Sequence, residues 1–296
     1  MRIDLLLVQR GVAGTRSAAQ RLIETGGVQW RPSSTEAWVT PKKSGDAVAE
    51  TVEINVIDEA ETRFVSRGGL KLAGAITRTG WQARDLCCLD VGQSTGGFTD
   101  CLLQHGAAGV FGVDVGQGQL HPSIRNNPAV VALEQCNARE IDSAQVVEAM
   151  QNRGGDRQTF WAERASQGFC DGFGFDAMVG DLSFISQVKV WPAVLPLLKP
   201  NADILMLVKP QFELQPADIG KGGLVKDPAA YDRVREQMRT AAGVHGLQWQ
   251  DFFESPIKGG DGNREFFLWA KRAATALPLI ITSKIIRLCL LSLGSM

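Results

Sequence analysis

Two groups of residues in this chain have the types and spacing that chemistry needs. The first is the run Leu89-Asp90-Val91-Gly92-Gln93-Ser94-Thr95-Gly96-Gly97-Phe98-Thr99, a glycine-rich turn opening a helix, where backbone can approach a ligand closely. Its G-x-x-x-G-G spacing is not the G-x-G-x-x-G fingerprint that wraps a pyrophosphate, so a nucleoside without phosphates fits better. Asp114, about twenty residues further on at the end of the next apolar run, is placed to accept hydrogen bonds from ribose hydroxyls. Taken singly, a buried turn and a helix-capping acid account for these residues equally well. Together at one sheet edge they make a nucleoside site, and S-adenosylmethionine is the phosphate-free candidate. Its sulfonium is cationic and its methionine end zwitterionic, so Asp90 suits it electrostatically where it would repel a pyrophosphate.

The second group is spread over the chain: Lys71 in SRGGLK, Asp181 in GDLSF, Lys209 in VKPQF and Glu265 in NREFF. Asp181 and Lys209 close apolar runs that read as strands, and parallel strands point their C-terminal ends one way. A lysine closing a buried strand is costly unless it is paired or functional, because its ammonium loses solvation. Two ordinary salt bridges would explain the same four residues.

The elements that must position these groups are legible as a change of pattern. From residue 86 short apolar runs at 86–91, 110–115, 130–134, 176–181 and 203–209 alternate with helical stretches such as 97–105 and 185–198, which predicts a parallel α/β sheet. Two late runs, 247–254 and 265–271, flank the turn-rich SPIKGGDGN and predict an antiparallel pair at the sheet edge. Residues 151–175 are polar and glycine-rich without a clear period and read as a long surface loop. Residues 1–60 read as a separate unit. Apolar positions at helical spacing precede Gly11, and a second set precedes Gly26-Gly27, followed by a strand or turn.

Composition bounds the partners. The net charge of -1 gives no global attraction to a polyanion, yet residues 1–43 hold seven Lys and Arg against three acids. Any nucleic-acid surface is therefore local, with Arg2, Arg10, Arg16 and Arg21 as its candidate contacts. The six cysteines show no C-x-x-C and no His partner at ligand spacing, so free thiols are expected and no metal site. The start of the chain has no secretory pattern, which predicts a cytoplasmic protein. The tail 277–296 is apolar, but Pro278, Lys284 and Arg287 interrupt it, so no stable membrane insertion is expected.

The stretches SRGGLKL, LDVGQSTGGFTD, GVDVGQGQL, GDLSFIS, VKPQFE, GKGGLVKD and SPIKGGDGNREFF resemble the FtsJ-like ribose 2'-O-methyltransferases. With the N-terminal unit the whole chain resembles the TlyA family, S4-domain ribosomal-RNA methyltransferases that also carry the label haemolysin. The resemblance implies that Lys71, Asp181, Lys209 and Glu265 match a catalytic tetrad. It further implies that residues 1–60 are an α+β S4 RNA-binding domain, that residues 61–276 form a Rossmann-like methyltransferase domain, and that ribosomal RNA or a ribosomal subunit is the partner. The candidate cofactor contacts are then Asp90, Gly92, Ser94, Thr95, Gly96, Gly97, Phe98, Asp114, Asn137 and Asp181. Gln93 and Gln117 depart from the family pattern, where a small residue and an aromatic one are expected.

For methyl transfer to a 2'-hydroxyl, Lys209 is the expected group to orient and deprotonate the nucleophile. Asp181 and Glu265 would fix its position, and Lys71 would stabilise the developing alkoxide. Two other readings compete. A membrane-active haemolysin or interaction protein would draw on the apolar tail, and a nicotinamide-dependent oxidoreductase would use the same sheet but lacks the dinucleotide fingerprint.

Overall fold

The N-terminal unit builds on α1 (Ile3–Gln9), α2 (Arg16–Glu24) and an antiparallel pair, β1 (Val28–Arg31) with β2 (Glu53–Val56). The computed structural model describes residues 1–24, 26–57, 63–154, 158–167, 174–260 and 262–274. Ile3, Leu6 and Leu7 from α1 meet Ala19, Leu22 and Ile23 from α2 over Val28, so this unit closes a core of its own. In the first turn of α1 the fully buried Asp4 takes two nitrogens of an Arg2 fork, at 3.0 and 2.9 Å, together with Arg16 Nε at 3.0 Å and Gln20 Nε2 at 3.1 Å. These cations hold its carboxyl well below the usual range.

The larger domain runs α3 (Gly68–Thr79), β3 (Cys87–Val91), α4 (Gly97–Gln104), β4 (Gly109–Val113), α5 (Pro122–Arg125), β5 (Val130–Leu133), α6 (Ser143–Gln151), α7 (Gln158–Gln167) and β6 (Phe175–Gly180). It continues through α8 (Trp191–Val194), β7 (Leu198–Val208), α9 (Pro210–Glu213), α10 (Ala229–Val244), β8 (Leu247–Glu254) and β9 (Phe266–Arg272). Seven strands form one sheet in the order β5-β4-β3-β6-β7-β9-β8. All neighbours pair in parallel up to β7, and β9 then runs antiparallel between β7 and β8. Every residue of β3 and β4 is buried, as strands covered on both faces require. Leu89 and Val91 face a core with α6, α7, α8 and α10, whereas Cys88 faces the one built on α3 and α4. The doubly wound α/β architecture expected from the alternating pattern is the one observed.

Two expectations are corrected. The segment 151–175 is not wholly loop: it contains α7, whose Trp161 is fully buried and donates Nε1–H to the Pro128 carbonyl at 3.0 Å. Trp161 and Ala165 lie one helical turn apart and bury together, an anchor too sparse to stand out among the surrounding polar residues. Residues 155–157 and 168–173 of that segment lie outside the described residues. The helix expected over 185–198 is broken into a 3-10 turn at Gln187–Lys189, the single turn α8 and a second 3-10 turn at Leu195–Leu197. Pro192 and Pro196 each remove a backbone donor, and Pro196 ends the helical run, so β7 begins at Leu198 rather than at residue 203. The tail 277–296 lies outside the described residues.

Trp161→Ala is expected to destabilise the protein by about 3–5 kcal/mol, because the indole would leave an unfilled space in the core below β4. Denaturant unfolding followed by circular dichroism measures this; a loss below about 1 kcal/mol would show that α7 is not a core element.

Candidate active site

The chemistry collects where parallel strands end together. β3 delivers the turn at Gly92, β6 delivers Asp181, and β7 delivers Lys209. β9 runs the opposite way, so its entry places Glu265 at the same edge. The first turn of α3 adds Lys71. Gly92 has φ +84°, and a Cβ there would stand 2.8 Å from the Asp181 carbonyl oxygen, so only glycine lets the turn lie against the end of β6. The Asp181 amide donates to the Val91 carbonyl at 3.1 Å and fixes that approach.

The four charged side chains form an alternating row. Glu265 Oε2 is 2.7 Å from Lys71 Nζ, Lys71 Nζ is 3.8 Å from Asp181 Oδ2, and Asp181 Oδ1 is 2.6 Å from Lys209 Nζ. Lys209 Nζ also donates to Ser183 Oγ at 2.8 Å. Lys71 and Glu265 are buried, whereas Asp181 and Lys209 reach a cavity of about 250 Å³ that Ser66, Thr95 and Gly97 also line. Burial pushes the Glu265 carboxyl above its usual range, and the Lys71 ammonium pulls it back. Lys71 is not among the residues that line that cavity. This placement differs from the expected direct role at an alkoxide and makes Lys71 the clamp that holds Asp181 and Glu265.

A second cavity, of about 430 Å³, adjoins the first and shares Gly92, Ser94, Asp181 and Ser183 with it. Asp114 and Asn137 line it, as a nucleoside site needs. Asp114 Oδ2 accepts from the Ser94 amide at 2.8 Å and Oδ1 from the Gly116 amide at 2.7 Å, so the acid also ties the turn to the end of β4. Of the remaining cofactor candidates, Thr95, Gly97 and Phe98 line the first cavity. Two do not reach either cavity. A Cβ on Gly96 would stand 2.9 Å from the Leu120 side chain, so this glycine serves packing. Asp90 is fully buried and accepts the Thr99 hydroxyl at 2.7 Å, while Thr99 in turn accepts Gln93 Nε2–H at 2.9 Å. Asp90 is therefore a prop under the turn rather than a wall of the site. Gln93 fits because it lies over Gly112, where any Cβ would collide with its amide.

The sequence profile of the FtsJ-like methyltransferases matches residues 64–272. The chain belongs to this family. Over 272 residues it is 39% identical to the 16S/23S rRNA (cytidine-2'-O)-methyltransferase TlyA of Mycobacterium tuberculosis, covering 91% of this chain and 89% of that one. It is 33% identical to Hemolysin A of Brachyspira hyodysenteriae, covering 90% of this chain and 98% of that one. A solved structure from Streptococcus thermophilus, named as a hemolysin, superposes with a TM-score of 0.65 at 30% identity, covering 93% of this chain and 90% of that one.

In this FtsJ-like chain, residue types alone did not single out two further site residues. Ser183 lines both cavities and holds Lys209, and its place two residues beyond Asp181 was the available signal. Phe184 is 90% exposed at φ +63° and tilts against Phe212, with ring centroids 5.1 Å apart. A bulky residue held at positive φ and facing solvent is strained and points to a role outside the core. Below them the buried Glu213 accepts the Gln187 amide at 2.9 Å and braces the loop after β6.

The N-terminal arginines are less free than their number suggests. Arg2 and Arg16 are tied to Asp4, and Arg10 donates to the Val52 carbonyl at 2.6 Å and to that of Glu50. Arg21 lines a cleft between this unit and the methyltransferase domain, and it too has a partner within the protein.

Burial pushes the Asp90 carboxyl up to about 7 against the pull of the Thr99 hydroxyl, with Asp181 and Asp114 adding to the rise. The folded chain keeps this proton at pH values where the unfolded chain has lost it, so stability falls as pH rises from about 4 to about 7. Asp90→Asn mimics the protonated acid and removes that dependence. The melting temperature of the variant relative to wild type is expected to climb across this window, by at most about 4 kcal/mol of stability. A constant offset between the two melting curves at all pH values would show that Asp90 titrates alike in both states.

Proposed function

We propose that this protein transfers a methyl group from S-adenosylmethionine to a ribose 2'-hydroxyl of ribosomal RNA in the cytoplasm. The observation that carries the reading is the position of Lys209 Nζ. It is held at 2.6 Å by Asp181 and at 2.8 Å by Ser183 on the wall where the two cavities meet. The cavities fit a phosphate-free cofactor. Asp114 and Asn137 line the second cavity and would partner adenosine hydroxyls and ring atoms there, and the acids around the turn disfavour a polyphosphate. Gly92, Ser94, Thr95 and Gly97 would hold the methionine end with backbone at close range. When bound, S-adenosylmethionine supplies a methyl group already activated by a sulfonium.

The chain's own residues supply the rest. Lys209 Nζ orients the incoming hydroxyl and, once its own ammonium proton has passed to water, receives the hydroxyl's proton as the new C–O bond forms and the C–S bond breaks; Asp181 fixes the lysine, and the Lys71–Glu265 pair locks Asp181. Phe184 offers an exposed ring on which an unstacked base can rest beside the acceptor ribose. Residues 1–60 serve as an S4-like RNA-binding unit. The relatives named as rRNA methyltransferases support the choice of substrate. Among the described residues no helix is long and apolar enough to cross a membrane, and a lytic role leaves the buried row of charges unexplained.

Lys209→Ala is expected to abolish transfer while cofactor affinity stays within a few fold, because the lysine faces the acceptor side. Ribosomal subunits incubated with methyl-labelled cofactor, followed by mapping of 2'-O-methyl groups, read the first effect, and calorimetry reads the second. Full activity in the variant would remove Lys209 from the reaction. Removing residues 1–60 should weaken RNA binding and flatten its salt dependence while cofactor binding survives. Identical salt slopes for the two forms would show that this unit does not hold RNA.

A further inference from the structure

We propose that Gln187 and Glu213 are positioning residues of the methyl transfer: they hold the loop 181–187 in register with Lys209, so that Ser183 and Phe184 meet the acceptor nucleoside at a fixed distance from the amine. The proposal rests on the reading above, in which Lys209 works on a ribose hydroxyl. Neither Gln187 nor Glu213 lines either cavity, so both act through other residues.

Two stretches of chain build the acceptor side of the site. The first is the loop after β6, which runs from Asp181 through Ser183 and Phe184 to Gln187. The second is the end of β7 with α9, residues 207–213, and it carries Lys209. At one end the stretches meet through charge: Lys209 Nζ lies 2.6 Å from Asp181 Oδ1 and donates to Ser183 Oγ at 2.8 Å. In the middle the Phe184 ring tilts against Phe212. At the far end Gln187 makes two bonds. Its backbone amide donates to Glu213 Oε1 at 2.9 Å, and its Nε2 donates to the Leu207 carbonyl at 2.5 Å. One buried glutamine therefore straddles the stretch in which Lys209 sits.

The two stretches differ in what else holds them. Pro210 restricts Lys209 to extended backbone, at φ -103° and ψ 104°, and the Phe212 amide donates back to the Lys209 carbonyl at 2.9 Å. Residues 181–186 belong to neither helix nor strand, and among them Phe184 holds a strained φ of +63°. A bulky residue at positive φ persists only where its surroundings over-determine it. The Asp181 amide, on the Val91 carbonyl, secures one end of the loop, and Gln187 secures the other. The use of an acid at 213 fits this role. A buried carboxylate loses solvation that a neutral acceptor would not. Burial pushes the Glu213 carboxyl above its usual range, and the Ser186 hydroxyl and the Gln187 amide pull it back. A hydrogen bond to an ionised acceptor is about twice as strong as one between neutral groups, so the acid grips Gln187 harder than an amide would.

The test uses the full-length protein, ribosomal subunits and saturating S-adenosylmethionine. Glu213→Ala is expected to lower kcat about tenfold to a hundredfold. It should also speed hydrogen exchange at 182–187 while exchange in β3 and α4 stays as in wild type. Glu213→Gln keeps an acceptor for the amide and should return kcat to within about threefold of wild type. Trp161→Ala, destabilised at a remote place, should keep its kcat below its melting temperature, which separates positioning from a general loss of stability. In a Ser183→Ala background, Glu213→Ala should lower kcat by less than it does in wild type, because both changes loosen the same contact with Lys209. If Glu213→Ala does not fold, Gln187→Met keeps the side chain's length, drops the bond to Leu207 and should lower kcat a few fold with the same local change in exchange. Wild-type kcat in Glu213→Ala, or in Gln187→Met where that variant replaces it, would overturn the proposal. So would a loss that Glu213→Gln shares in full, or lost activity with unchanged exchange at 182–187. A wild type that transfers no methyl group to the subunits would instead overturn the functional reading, and faster exchange at 182–187 in Glu213→Ala would still show that the pair holds the loop.

Discussion

Four charged groups, Glu265, Lys71, Asp181 and Lys209, share one buried edge of the sheet, and each is tolerable there only because its neighbour has the opposite sign. Desolvating a lone ammonium or carboxylate costs several kcal/mol, and an alternating row offsets much of that cost through short ion pairs. The constraint reaches into the fold. Two parallel strands must end level, a helix must start beneath them, and a reversed strand must enter beside them, or one charge is left without a partner. The antiparallel placement of β9 satisfies the last condition, because a parallel strand would start at the far edge.

The turn after β3 is held from three sides. Asp114 grips the Ser94 amide, the Asp181 amide meets the Val91 carbonyl, and the Asp90–Thr99–Gln93 chain props the turn from beneath. The floor of the site is thus rigid, while Phe184 on the loop after β6 stays exposed. A rigid floor for the cofactor and an exposed aromatic for the acceptor divide the work between a fixed and an accessible part.

The N-terminal unit follows the same economy of charge. Asp4 gathers Arg2 and Arg16 within a small core, so part of the basic character that composition suggests is used to hold the unit together.

The sequence by itself determined the sheet, the glycine turn and the four charged positions. Strand runs of continuous apolar residues occur only where both faces are covered, and a turn in which Gly92 touches a neighbouring strand tolerates nothing larger. Chain direction then placed Asp181 and Lys209 at one edge before any coordinates. The short helix α7 stayed hidden because its buried face is little more than Trp161 and Ala165, and the helix expected at 185–198 failed because its prolines outweighed its apolar content. Asp90 could not be told from a wall residue, since a side chain at a strand end points into the site or under it by one step of alternation. Which arginines are tied to Asp4 and which of the two lysines lines the cavity were decided only by tertiary structure. Each depends on distances between residues far apart in the chain, and no local pattern encodes those distances.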